Sequence, residues 1–537
     1  MSTKSIWIAL RKPVFRGFWL TSVVSGCFVS AHALAATWIM NALTPSPLLL
    51  SLLSTAASLP FFLLTFPAGA LADMIDRKTL LCAMNLWLAV VAGGLAILGW
   101  LHLLNPWVML VAVFLLGVGF ACNAPAWTSI IPEIVDKEEL ASAVTLGGVQ
   151  MNLSGIIGPA IGAILLPLIG ANALFALNSA GFLIIMIAIK RWHPEATQSK
   201  IPLKSFLGSL AGAVRYMHYT RGIQVLLVRA LLFALLISAI PALLPVVGLK
   251  ALHLSSSSLG LLFTSIAVGS LVGAVLVIPL ARERYRPNTV TILASLLLAI
   301  VYCLMAYVRH LEPFIVVAAL GGLSWTLAAS ELWVAAQQAM PDWTRGRMNA
   351  AQIMISQGGL ALGGIVWGAA TNFVGLEFTL LIAALLVCLH LGIAIPLSID
   401  FTRSLNLEHG PPRGMPFLIE TPELHDGPIA VVADIVIERQ NPKNLAQFIE
   451  LMLELRLAYL RNGASSARLY KNLGEPSVFR MEAVAPTWQE YLLLHTRLTK
   501  TEHEILDRVF SLSAGPRPKV YYYLLINPRD AEGLQGL

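Results

Sequence analysis

The sequence predicts an all-α membrane protein with about twelve transmembrane helices in two six-helix halves, followed by a small α+β domain. Three observations carry this. Of 537 residues, 57% are hydrophobic and 12% charged, with a mean hydropathy of +0.75; a soluble chain carries ~25% charged residues. The first 398 residues hold about twelve apolar runs of the ~20-residue length that crosses a bilayer. Before residue 403, the Lys and Arg residues outside the runs fall on alternate connections, 18 on one side and two, Lys250 and Arg309, on the other.

The runs lie near 16–41, 47–72, 79–101, 106–131, 140–168, 171–190, 222–248, 257–281, 287–308, 313–338, 347–372 and 377–398. Short connections force antiparallel neighbours. Positive charge stays on the cytoplasmic side, so the bias places both termini there. The first run is too long, and lacks the small-residue site, for a cleaved signal. The longest connection splits the runs six and six. The expected divisions are a first half at 1–190, a connector at 191–221, a second half at 222–398, a linker at 399–427 and a tail domain at 428–537. Within the connector, Leu203, Phe206, Leu207, Leu210, Val214 and Met217 share one helical face. That pattern predicts an amphipathic helix on the inner leaflet.

All five cysteines (Cys27, Cys82, Cys122, Cys303 and Cys388) sit inside apolar runs, so neither a disulfide framework nor a metal site is expected. The net charge of +7 belongs to loops flanking the membrane and does not imply nucleic acid as a partner. No Gly-rich phosphate loop ending in G-K-[ST] occurs, which disfavours an ATP-driven mechanism. No cofactor is expected.

Residues 69–78 read Gly-Ala-Leu-Ala-Asp-Met-Ile-Asp-Arg-Lys, a polar hinge between two apolar runs. Gly69 is suited to close helix approach, and Asp73 to the positive N-terminal end of another helix. Arg77 and Lys78 hold the loop on the cytoplasmic side. Pro132-Glu133, followed by a run containing Gly158-Pro159-Ala-Ile-Gly162, is echoed by Pro341-Asp342 followed by a run with Gly358-Gly359 and Gly363-Gly364. Two related six-helix halves are a transporter arrangement. The loop, the Gly158-Pro159-x-x-Gly162 element and the repeat together resemble the major facilitator superfamily. The loop departs from the family pattern at Met74 and Asp76. Pro125-Ala-Trp127, Ala35-Ala36-x-Trp38 and Val334-Ala335-Ala336-Gln337 resemble the branch that includes the enterobactin exporter.

The resemblance implies that the first, fourth, seventh and tenth spans line a central cavity, where the candidates are His32, Asn123, Arg229 and Glu331. A charge buried in the bilayer costs at least ~2.5–3.5 kcal/mol, so each charged candidate requires a partner or water. Arg229 and Glu331 lie about seven residues, or roughly 10 Å, from the inner ends of their spans. Equal depth predicts an ion pair between them. His32 titrates near neutral pH and suits a proton carrier; a hydrogen-bonded packing histidine is the other reading. Trp87 and Trp367 are candidates either for stacking on an aromatic ligand or for anchoring. Gln150, Asn152, Gln352 and Gln357 read as polar glue between helices.

After a Gly/Pro-bearing linker, the tail alternates strand and helix in the order βαββαβ. This predicts a cytoplasmic ferredoxin-like domain. It resembles modules related to antibiotic-biosynthesis monooxygenases, which implies pairing of two copies into a homodimer. No nucleophile–base pair or metal cluster is apparent there, and His495 and Trp488 alone indicate no chemistry. A regulatory or interaction module is expected rather than an enzyme. The sequence as a whole predicts a proton-coupled exporter of a siderophore or another small amphipathic molecule in a bacterial inner membrane. An importer on the same fold, and a membrane-anchored enzyme or sensor acting through the tail, are the alternatives.

Overall fold

The computed structural model describes residues 7–192, 203–401, 407–408, 410, 418–438, 442–514 and 518–525, with the side chains of residues 73 and 203–209 outside the description. Two compact units result. The first holds the apolar helices; the second holds Leu207–Val225, Ala336–Met348 and the chain from Phe401 onward.

The first unit begins with α1 (Pro13–Leu43), α2 (Pro47–Met74), α3 (Arg77–Trp100), α4 (Pro106–Ile134) and α5 (Leu140–Arg191). Proline opens α1, α2 and α4, where its missing N–H costs nothing. Asp76 caps α3 by accepting from the Thr79 amide at 2.8 Å. Helix α5 has 52 residues; at about 1.5 Å per residue that is about 78 Å, against a bilayer core of about 30 Å. It breaks at Gly170, whose φ of 80° and ψ of 166° favour glycine.

After the connector helix α6 (Leu203–Tyr219), the chain forms α7 (Arg221–Ile237), α8 (Ala239–Val246), α9 (Ser256–Val272), α10 (Ile278–Arg284), α11 (Pro287–Tyr307), α12 (Leu311–Ala339), α13 (Arg345–Val374) and α14 (Leu376–Ala394). Two of the expected runs are subdivided. A break at Ser238 separates α7 from α8, because Pro241 has no N–H to offer Ile237. A π-helical turn at Gly273–Val277 separates α9 from α10. Gly375, between α13 and α14, has φ 84° and ψ 165°. This repeats the conformation of Gly170 at the equivalent point of the first half. Among the described residues, eleven helical stretches are long and apolar enough to cross a membrane, α5 counting once.

Glycine fixes the packing in both halves. Gly158 and Gly162 lie on α1, where a Cβ would come within 2.7 Å of the Cys27 carbonyl and 3.1 Å of Ala31 Cα. Gly359 does the same on α7, within 3.0 Å of the Leu231 carbonyl. Gly69 is different. A Cβ there would meet nothing within 4 Å, so the close approach expected at that residue is not made.

In the second unit, β1 (Ile429–Val436), α15 (Pro442–Asn462), β2 (Ser466–Lys471), β3 (Val478–Ala485), α16 (Trp488–Arg497), α17 (Lys500–Ser511) and β4 (Val520–Leu524) build a four-stranded antiparallel sheet of order β2-β3-β1-β4. Its core packs Ile435, Phe479 and Met481 of the sheet against Phe448, Leu455 and Val509 of the helices. The single helix expected before the last strand is two helices. Thr499 starts α17 with a capping box, accepting from the Glu502 amide while Glu502 accepts from the Thr499 amide at 2.8 Å. Buried Glu502 also receives Arg461 at 2.6 Å. Much of the linker lies outside the described residues.

The connector helix has two working faces. Its sequence-predicted apolar stripe is outward at Val214, with Met217 half-buried; Leu203, Phe206 and Leu207 have side chains outside the description. The opposite face buries Ala213 and Tyr216, and Tyr219 packs against the sheet domain's core.

Candidate functional site

The two halves of the first unit meet along α5 with α9 and along α2 with α8 and α13. Ser257 Oγ donates to the Ala163 carbonyl at 2.9 Å, Ser51 Oγ to Ala242 at 3.1 Å and Thr55 Oγ1 to Ala361 at 2.8 Å. Lys250 Nζ also donates to the Pro45 carbonyl. All of these lie at the end away from the 69–78 loop. Gly260 is pressed against Pro159 and Ala163, so the Gly158-Pro159-x-x-Gly162 element touches α1 with one face and α9 with another.

Past Gly155, α5 and α9 part around a cleft of about 330 Å³. Its walls include Met151 and Asn152 from α5, Phe263 and Ser270 from α9, and Trp325 and Thr326 from α12. No lining residue is charged. The volume suits a drug-sized ligand, and the mixture of aromatic faces with a few amide and hydroxyl groups is that of a small-molecule site. Met151 is 73% exposed at its rim. The Asn152 amide is turned to the Gly148 carbonyl of its own helix, at 2.9 Å, and does not bridge helices. Gln150 does bridge, to the Ser22 carbonyl of α1 at 3.3 Å. Apart from Asn152, read there as polar glue, the cleft residues escape sequence reading because each is ordinary alone; Phe263 and Trp325 become a site only where α9 crosses α12.

The four sequence-predicted cavity residues are not brought together. His32 is buried with its ring 4.5 Å from Phe175, and neither nitrogen has a hydrogen-bond partner among the described residues. Asn123 is half-buried on α4, its side-chain oxygen also unpartnered among them. The ion pair expected between Arg229 and Glu331 does not form. Arg229 points to α11 and the end of α14. It donates to Asn288 Oδ1, to Thr291 Oγ1 at 2.8 Å and to the Leu397 carbonyl at 3.2 Å. Glu331 is buried and accepts from Arg282 Nε of α10 at 2.7 Å. Depth along a helix is legible from sequence, whereas the direction a residue faces depends on how each helix is rotated in the bundle.

In the 69–78 loop, Arg77 pairs with Glu133 and Lys78 donates to the Trp192 carbonyl. The Asp73 side chain lies outside the described residues, so its expected contact is not described. The indole nitrogens of Trp87 and Trp367 donate to the Leu115 and Leu235 carbonyls at 2.8 and 2.9 Å.

The sheet domain has an aromatic cluster of its own. Trp488 stacks on Tyr491 at 4.8 Å, and Tyr491 donates to Tyr522 Oη at 3.1 Å. Burial, reinforced by that hydrogen bond, holds the Tyr491 phenol well above its usual range. On the open face of the sheet, a two-point bond from Arg480 holds the Asp434 carboxyl below its usual range. Among the described residues no three His, Cys, Asp or Glu side chains gather as metal ligands.

A profile of the transmembrane secretion effector family, within the major facilitator superfamily, matches residues 4–530. The chain belongs to that family. The match runs through the sheet domain, so the tail of this chain falls within the family's shared pattern. The chain is 28% identical over 404 residues to the enterobactin exporter EntS of Citrobacter koseri, covering 71% of this chain and 92% of that protein. It is 25% identical over 266 residues to macrolide efflux protein A of Streptococcus pyogenes, covering 49% of this chain and 65%, just under two thirds, of the relative's length. A mutant form of the nucleoside transporter NupG shares the fold with a TM-score of 0.60 at 12% identity, over 72% of this chain and 99% of that one. A bacterial homolog of the human lysosomal transporter Spinster does so with a TM-score of 0.58 at 13% identity, over 73% and 97%.

Proposed function

We propose that the protein is a secondary active exporter of small amphipathic molecules. The observation that carries this is the uncharged cleft between halves that are closed together at the opposite end. In this reading the cleft faces the cytoplasm, collects cargo from that side, and closes as α5 and α9 come together beyond Gly155. The efflux roles named for the macrolide and enterobactin relatives support the direction.

The chain crosses a bacterial inner membrane twelve times, the two sides of Gly170 counting as two crossings just as Gly375 parts α13 from α14. Both termini are then cytoplasmic, as the bias in positive charge favours. The tail is a ferredoxin-like module, which its strand order supports, and it acts by binding rather than by chemistry. Protons drive export through Glu331. Its carboxylate, buried but for the half-exposed Arg282, changes charge as the second half opens and closes.

Counterflow in proteoliposomes tests this with labelled erythromycin and enterobactin, with and without a pH gradient. Uptake into inside-out vesicles that is accelerated by an acidic lumen is expected for at least one of them. Accumulation only in the opposite orientation would reverse the direction. Transport indifferent to the gradient would remove the proton.

A further inference from the structure

Trp343 sits in the short loop between α12 and α13. Its indole is half-buried, and its Nε1 is buried with no hydrogen-bond partner among the described residues. The ring is held by its faces and edges alone. The Arg497 guanidinium of α16 lies 4.5 Å from the ring centroid. The Tyr216 ring of the connector helix meets it edge-on at 5.9 Å. At Gly212 an added Cβ would fall 3.5 Å from the ring, so the helix backbone itself forms one wall of the socket.

Arg497 is fixed on its other side. It donates to the Asn462 carbonyl and to Glu490 Oε2, both at 3.1 Å, and Glu490 in turn lies 3.8 Å from Arg215 of the connector helix. A second contact completes the arrangement: the Phe401 ring fills the space over Gly222 at the start of α7. A tail residue, a connector residue and a loop residue thus share one site. Each is covalently continuous with the second half, whose α7 begins, α12 ends and α13 begins there. A guanidinium desolvated over an indole is a strong form of this contact.

We propose that Trp343 is the joint through which the C-terminal domain braces the second half, making Trp343 and Arg497 positioning residues for transport. The loop leads directly into α13, whose Gly359 packs on α7 and whose Ala361 carbonyl receives Thr55 of the first half. A loose joint leaves α13 free at one end while the cargo cleft is untouched. The transport readout below rests on the export reading; the exchange readout does not.

The test uses the full-length protein in lipid, with Trp343→Ala, Arg497→Ala, the double variant and Trp343→Phe. Amide hydrogen exchange across 336–348 and 210–219 is expected to quicken about tenfold in Trp343→Ala and less in Arg497→Ala. The double variant should be no faster than Trp343→Ala, because both substitutions remove one contact. Trp343→Phe, which keeps an aromatic face, should stay within about twofold of the parent. The maximal rate of erythromycin efflux should fall at least about threefold in Trp343→Ala, with half-saturation within about twofold, as expected for a loss outside the binding site. Additive exchange effects, unchanged exchange in Arg497→Ala, or unchanged efflux in a loosened Trp343→Ala would each overturn the proposal. If Trp343→Ala fails to fold, the milder change Arg497→Ala and its exchange decide the matter. If the parent moves no erythromycin, the export reading fails for that cargo and the exchange arms still judge the joint.

Discussion

The first half (α1–α5) and the second (α7–α14) are built alike and charged differently. Both seat a glycine-bearing helix on their first helix, Gly158 and Gly162 on α1, Gly359 on α7, and both turn at a glycine of positive φ, Gly170 and Gly375. The first half buries His32 and half-buries Asn123, neither in an ion pair among the described residues. The second buries Arg229 inside a polar network and Glu331 against Arg282. Packing has kept the repeat; charge has left it. Backbone approach tolerates no larger residue in either copy, whereas the buried charges among the described residues of the bundle, Arg229 and Glu331, both lie in the second.

The largest expected effect strikes what the halves share. Gly158→Val and Gly359→Val each force side-chain atoms against a neighbouring backbone, and should cost at least about 1–3 kcal/mol. The melting temperature in detergent should drop in both, while Gly147→Ala, with open space around it, stays near the parent. A drop in one half alone would break the parallel.

The next effect separates the halves. Glu331→Gln removes the charge and should lower pH-driven efflux about tenfold or more, equivalent to about 1.4 kcal/mol. Exchange without a gradient should stay within about twofold. Full gradient-driven efflux in this variant would sink the coupling role.

Arg229→Leu leaves the Asn288 and Thr291 side chains and the Leu397 carbonyl without their donor. Each buried unsatisfied group costs about 1–3 kcal/mol. Lower thermal stability with unchanged transport per folded molecule is expected, since Arg229 does not touch Glu331; loss of coupling would tie it to the acid after all. The smallest effect is reserved for the first half. His32→Leu gives up no hydrogen bond to a described residue and should cost less than about 1.5 kcal/mol. Its pH profile of efflux should match the parent, and a shifted profile would move the proton site to the first half.

Much of the scaffold was readable from residue order. Long apolar runs, prolines at helix starts, and the repeated Pro-acid and glycine pairs determined where helices form and that there are two copies of one plan. The cause is local: a run of about 20 apolar residues has few options in or out of a bilayer. Alternation likewise determined the tail's strands, and the capping residues Thr487 and Thr499 carry the split of its last helical stretch, which apolar pattern alone ran together.

Tertiary structure alone decided which side chains meet. Arg229 and Glu331 have matching depth, yet one faces α11 and the other α10, because rotation about a helix axis is set by packing with neighbours. Gly69, conspicuous in sequence, has open space around it, and plain Gly260 is the one pressed against Pro159. Trp343 reads as an ordinary loop tryptophan until Tyr216 and Arg497, 127 positions before and 154 after it, close on its ring. Contacts between residues that far apart are fixed by the fold as a whole, and no local pattern in the chain encodes them.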